Sequence, residues 1–196
     1  MCFFRKKIDL HFISTAFIIV SLLYHNLTIF STIFYEFLEV TLIFFSGQLD
    51  YTSGALGAYT IKVALSKVSI TPLKGITSGI LCNILVCAAI LMAGAARDIT
   101  GKIFAIFFPI FAFVIGGFEH CVANMYYIPT GIFAATNANY VAKAGELYGI
   151  TAEQLESLTV MGSLRNFIPV TIGNIIGGAV CLGGMCYAVY KTKESK

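Results

Sequence analysis

The sequence predicts an all-α polytopic membrane protein, and three observations carry that expectation. Of its 196 residues 58% are hydrophobic and only 12% charged, against about a quarter charged in a soluble domain; mean hydropathy is +0.84. The apolar residues fall in runs long enough for the roughly 20 residues that cross a bilayer core as a helix. Glycine and phenylalanine are also segregated: all 18 glycines lie at or after Gly47, whereas nine of the 17 phenylalanines lie before it. The net charge of +3 is dispersed, so no nucleic-acid-binding patch is expected. The six cysteines show no CxxC pairing and read as small buried hydrophobes; neither a metal site, a cofactor nor a disulfide framework is expected. Arg5, Lys6 and Lys7 precede an apolar run as in a signal peptide, but no small-residue cleavage site follows closely.

Taken in order, residues 1–45 form an atypical apolar segment. The run from 9 to 46 is interrupted by His25, Asn26, Glu36 and Glu39. It can hold one long helix or two short ones dividing near Tyr24, His25 and Asn26. Without glycine it is poorly suited to close helix packing. From Ser46 to Gly75 the composition is mixed and predicts a connector, helical near Ala55–Lys67. A span follows at about 76–94, carrying Asn83, and Ala95–Lys102 reads as a polar turn. Residues 103–135 would run to about 50 Å as one helix, against a hydrocarbon core of about 30 Å. A break is therefore expected near 117–121, at Gly116 and Gly117 and the polar cluster Glu119, His120 and Asn124. Pro129 and Gly131 are expected to bend the second half.

Residues 136–165 are the most polar stretch. Thr151 and Gln154 have the spacing of a capping box, which predicts a surface helix starting near Thr151. The last span is expected at about 166–190, with Gly173 and Gly177 as a GxxxG packing face. Lys191, Lys193 and Lys196 then predict a cytoplasmic C-terminus. Alternation from there puts Arg97–Lys102 inside and the acidic 136–165 loop outside. The lysines of segment 47–75 would also lie outside, against the positive-inside tendency, and a functional reason for them is expected.

Ionisable groups at membrane depth cost roughly 2.5–3.5 kcal/mol each on insertion scales, so they usually face a cavity and mark a substrate path. His120 is the first candidate. Histidine ordinarily titrates near pH 6.5, so small changes of environment alter its charge, and an imidazole donor in an apolar pore can offset the desolvation of a small anion. The bland alternative is a histidine satisfied by a backbone carbonyl. Asn124, four residues on, either lines the path or caps freed backbone groups. An intramembrane enzyme is the weakest reading, since the spans hold no serine–histidine pair, HExxH or aspartate pair.

The stretch Gly117-Phe118-Glu119-His120-Cys121-Val122-Ala123-Asn124-Met125, then Ile128-Pro129, strongly resembles the formate/nitrite transporter family. Further blocks match in order: Lys62-Val63-Ala64 with Lys67, Gly79 to Cys87, Ile106 to Ile110, and Asn166 to Gly178. Together they cover about residues 46–196. The resemblance implies an aquaporin-like helical bundle with inverted repeats and broken second and fifth helices, assembled as a homopentamer with one pore per subunit. Residues 76–94, 103–135 and 166–190 then correspond to helices four, five and six. The family's first helices have no recognisable counterpart, and a truncated gene, a shifted frame or a divergent start is expected to account for residues 1 to about 44.

The resemblance also implies residue roles. His120 would sit centrally in the pore, with proton transfer to the anion as one route. Glu119, which would repel an anion from the lumen, would instead join a Lys–Glu–Asn group with Lys67 and Asn83; alternatively Lys67 snorkels to headgroups. Phe113, two turns before His120, would form a hydrophobic constriction, where the spacing alone suggests plain packing. The implied function is passive or proton-linked passage of formate, nitrite or hydrosulfide across the plasma membrane. A non-conducting fragment is the alternative.

Overall fold

The structure, a computed structural model, describes Ser31 and residues 34–194. The expected division near Tyr24 lies outside those residues. Helix α1 covers residues 34–45 and leads through a 3-10 turn, Gln48–Asp50, to α2, Ala55–Val68. Then come α3 (Pro72–Ala95), α4 (Ile99–Ile115), α5 (Cys121–Ala134), α6 (Ala138–Tyr148), the single turn α7 (Ala152–Leu155) and α8 (Val160–Ile175). A π-helical segment, Ile176–Gly183, joins α8 to α9 (Gly184–Glu194) without interruption.

Helix starts follow capping chemistry rather than the onset of apolar sequence, so the expected bounds shift. Thr71 and Pro72 start α3 four residues before 76, Pro72 occupying the first turn where a missing N–H costs nothing. The Asp98 carboxylate accepts from the Gly101 N–H at 2.7 Å, which trims the expected Ala95–Lys102 turn and starts α4 at Ile99. Thr159 caps the Gly162 N–H and begins the last span at Val160 instead of 166. Thr151 and Gln154 do form a reciprocal capping box, but the helix they start is only α7. The longer helix of the polar loop is α6, which ends at Gly149 with φ +66°.

The spans are built inside out relative to a soluble bundle. Helix α3 buries Gly75, Gly79, Cys82 and Ala89 and exposes Leu81, Ile90, Leu91 and Met92. Helix α4 buries only Pro109 and exposes a ladder of Phe104, Phe107, Phe108 and Phe111. Small residues inside and large apolar ones outside are what helices in lipid require, because their association depends on close backbone approach rather than on removing apolar surface from water.

Two packing groups result. Helices α3, α4 and α8 form one. At its centre a Cβ on Gly173 or Gly177 would run into the carbonyl oxygen of Ile76 or Ile80, and one on Gly79 would lie 2.8 Å from the Val170 carbonyl. Helices α2, α5 and α6 form the other, around Ile61, Ala64, Leu65, Ile128, Ala134 and Ala144. There the Tyr140 ring lies over Gly57 and its hydroxyl donates to the Asp50 carboxylate at 2.6 Å. That hydrogen bond pushes the Tyr140 phenol up to about 12.

The backbone contact between α3 and α8 gives a direct test. Gly173→Ala and Gly177→Ala are each expected to lower stability by about 1–3 kcal/mol, read as unfolding in detergent micelles. Gly94→Ala, whose added Cβ would meet nothing within 4 Å, is expected to show no loss.

Candidate functional site

The polar cluster occupies a gap between α4 and α5. Helix α4 closes in a Schellman turn: the Phe118 N–H reaches the Phe113 carbonyl and the Gly117 N–H reaches Val114, both at 3.1 Å. Gly117 takes φ +64°, a conformation open to glycine at little cost. Phe118, Glu119 and His120 continue outside any helix, and His120 is the N-cap of α5. Its Nδ1 accepts the Ala123 N–H at 3.3 Å. Glu119 is 5% exposed, whereas His120 is half-buried with its ring 5.8 Å from that of half-buried Phe113.

Interrupting a helix frees backbone groups that lipid cannot satisfy. The neighbouring helices supply the partners. The Glu119 N–H donates to Ser78 Oγ at 3.0 Å. The Asn174 side chain accepts from the Cys121 N–H at 2.9 Å and donates to the Glu119 carbonyl at 3.0 Å and the Gly79 carbonyl at 2.9 Å. It therefore ties both sides of the gap to α3. Gly79 admits this amide, since a Cβ there would lie 3.0 Å from Asn174 Nδ2.

The Glu119 side chain carries a second, charged network. Lys67 Nζ lies 2.7 Å from Oε1, with the two side chains 14% and 6% exposed. Oε2 accepts from Asn124 Nδ2 at 2.7 Å and Asn166 Nδ2 at 3.3 Å. Asn166 also donates to the Lys67 carbonyl at 2.9 Å and accepts from Asn124 at 2.8 Å. Lys67 therefore ends on the carboxylate and does not snorkel to the surface.

Two expected assignments change. Asn83 is not the carboxamide of the Lys–Glu group. Its Nδ2 donates instead to the Asn174 carbonyl at 2.6 Å, next to the π segment, where i→i+5 bonding leaves carbonyls without their usual partners. Gly178 makes room, since a Cβ there would lie 2.6 Å from Asn83 Nδ2. Asn124 neither shares accessible surface with His120 nor caps the gap: it is fully buried, its Nδ2 donates to Glu119 and Asn166, and its Oδ1 has no partner among the described residues.

Ser78, Asn166 and Asn174 have no place in the sequence-derived site. The usable signal was Asn166 and Asn174 eight residues apart in one span, placing two carboxamides toward the same side as Val170 and Gly173. Polar residues inside a span usually serve a site or each other.

A family model described as formate/nitrite transporter matches residues 5–188, starting well ahead of the blocks from residue 46 onward. Among curated proteins, the chain is 39% identical over 142 residues to the formate channel FocA of Haemophilus influenzae, covering 72% of this chain and 49% of that protein. It is 37% identical over 154 residues to FocA of Escherichia coli, covering 78% and 53%. It is 42% identical over 138 residues to a probable formate transporter of Methanothermobacter thermautotrophicus, covering 69% and 43%. The chain thus spans about half the length of the curated relatives it matches. Among solved structures, it resembles a pentameric formate channel with formate bound, at 33% identity and a TM-score of 0.71, covering 79% of this chain and 60% of that one.

Glu119→Gln is expected to destabilise the fold by about 3–5 kcal/mol, because Lys67 would keep a buried charge without its partner. Lys67→Met in the Glu119→Gln background is expected to recover part of that loss in the same detergent unfolding assay.

Proposed function

The chain belongs to the formate/nitrite transporter family, and on that premise we propose that it passes small monovalent anions across a membrane at His120, as one subunit of a homopentamer. It is an integral membrane protein. We read it as a channel or transporter rather than an enzyme, with formate as the first substrate and nitrite and hydrosulfide in the same class. We place it in the plasma membrane, with the C-terminus that carries Lys191, Lys193 and Lys196 in the cytoplasm.

The observation that carries this reading is the cap at the start of α5. Because His120 Nδ1 accepts the Ala123 N–H, the ring proton belongs on Nε2. The half-buried imidazole is then a fixed donor at a helix N-terminus, where the positive end of the helix dipole favours an anion. One hydrogen bond and a partial charge offset part of the anion's dehydration without trapping it, as a conducting site requires. A full charge would hold the anion harder, and Lys67 is prevented from acting as one by its bond to Glu119. Phe113, 5.8 Å from the imidazole, is the apolar neighbour that would narrow the path. Proton linkage is the finer part of the proposal: once the ring takes a second proton at Nδ1 in place of its bond to the Ala123 N–H, the imidazolium passes the Nε2 proton to the anion and returns to neutral imidazole, so that a neutral acid crosses the apolar constriction. The exposed apolar residues of α3 and α4 suit contact with lipid and with neighbouring subunits.

The test is reconstitution of the 196-residue chain in liposomes with flux assays for formate, nitrite and hydrosulfide. Flux above that of empty vesicles is expected. Anion movement no faster than in empty vesicles would count against conduction by this chain on its own. His120→Asn keeps an N-cap acceptor but removes the titrating group, so it is expected to change the pH profile of flux. An unchanged profile would rule out proton participation.

A further inference from the structure

Lys62 has no part in the gap between α4 and α5. Lys67 on the same helix turns to Glu119, whereas Lys62 lies over the Tyr148 ring, 4.5 Å from its centroid, with Tyr59 at 5.9 Å. Among the described residues it forms no ion pair. With Ser66 and Ser69 at i+4 and i+7 it makes one wall of an open cavity of roughly 700 Å³. The facing wall comes from the end of α6 and from α7, with Tyr148, Thr151, Glu153 and Gln154.

The hydrogen-bonding capacity of the two walls differs. Ser66 and Ser69 donate their hydroxyl protons to the Val63 and Leu65 carbonyls, at 2.7 Å each, and so offer only lone pairs to a ligand. In the capping box, Thr151 Oγ1 and Gln154 Oε1 serve as acceptors, at 3.3 and 3.0 Å. That leaves the Thr151 hydroxyl proton and the Gln154 amide protons, which no described residue takes up. A lysine ammonium, a hydroxyl donor and an amide donor therefore line one cavity, with Glu153 as the opposing charge.

We propose that this cavity is a second anion site, separate from His120, which takes an oxyanion on Lys62 with Thr151 and Gln154 as donors. Aromatic contact fixes the ammonium without neutralising it, unlike the carboxylate that neutralises Lys67. A carboxylate free in solution and the phosphodiester of an anionic phospholipid present the same chemistry to it. The lysine that sits against the positive-inside tendency thereby has a use.

The test is run in the His120→Asn background, so that the gap contributes no histidine to binding. Protein in zwitterionic-lipid nanodiscs is titrated with ¹³C-formate and read by NMR line broadening. In parallel, native mass spectrometry counts anionic phospholipid retained from mixed-lipid nanodiscs. Lys62→Gln is expected to weaken one of these roughly fivefold, and Glu153→Gln to strengthen the same one. A Lys62-dependent change in formate binding assigns the site to a free anion, and one in lipid retention assigns it to a headgroup. Unchanged binding of both in Lys62→Gln, or a loss of the same sign in both variants, would overturn the proposal.

Discussion

Glu119 keeps a buried carboxylate next to an interrupted helix, and the packing around it meets that double demand. An uncompensated ion in a low-dielectric interior costs several kcal/mol, and each backbone group left without a partner in lipid costs several more. The charge is met by Lys67 from α2 and two carboxamides, and the backbone by Ser78 from α3 and Asn174 from α8. These partners lie on four different helices, α2, α3, α5 and α8. The glycine contacts between α3 and α8 are therefore more than adhesion, since they set the distance at which Asn174 reaches both Gly79 and Glu119.

The same arrangement keeps the charged pair apart from the proposed anion path. Glu119 and His120 are sequence neighbours, but one is buried in the hydrogen-bonded network and the other is left half-buried at the cap of α5. A like charge beside the path would oppose an anion, and a free lysine would hold it. Pairing Lys67 with Glu119 away from the imidazole avoids both. What remains at the proposed path is an imidazole on a helix N-terminus.

How much could be read from the sequence depended on the kind of interaction. Amphipathic logic failed for these spans because their large apolar residues point outward, yet apolar length and glycine placement still marked where helices lie. The gap between α4 and α5 was legible because a single helix through it would be far too long and because two glycines precede an ionisable pair. That Glu119 needs a cation was legible because a buried charge needs a partner, while the choice of Lys67 rested on the family resemblance. The carboxamides were not. Nothing in local spacing tells Asn83 from Asn166 as the partner of Glu119; in the fold Asn83 meets the Asn174 carbonyl, just before the π segment, and Asn166 meets the carboxylate. Helix ends were misjudged for a related reason. Asp98 and Thr159 act through single hydrogen bonds that a hydropathy profile does not register.

The order of these contacts along the chain bears on how the protein is made. Lys67 precedes Glu119 by 52 residues, so during synthesis from the N-terminus the cation enters the membrane before the carboxylate it will neutralise. Asn166 and Asn174 follow Glu119 by 47 and 55 residues, after the polar loop. Until the last span arrives, the gap between α4 and α5 has neither its carboxamide tie nor its anchor to Gly79. A chain halted before α8 would leave the break without Asn166 and Asn174 as partners, so closure of the gap waits on the final helix.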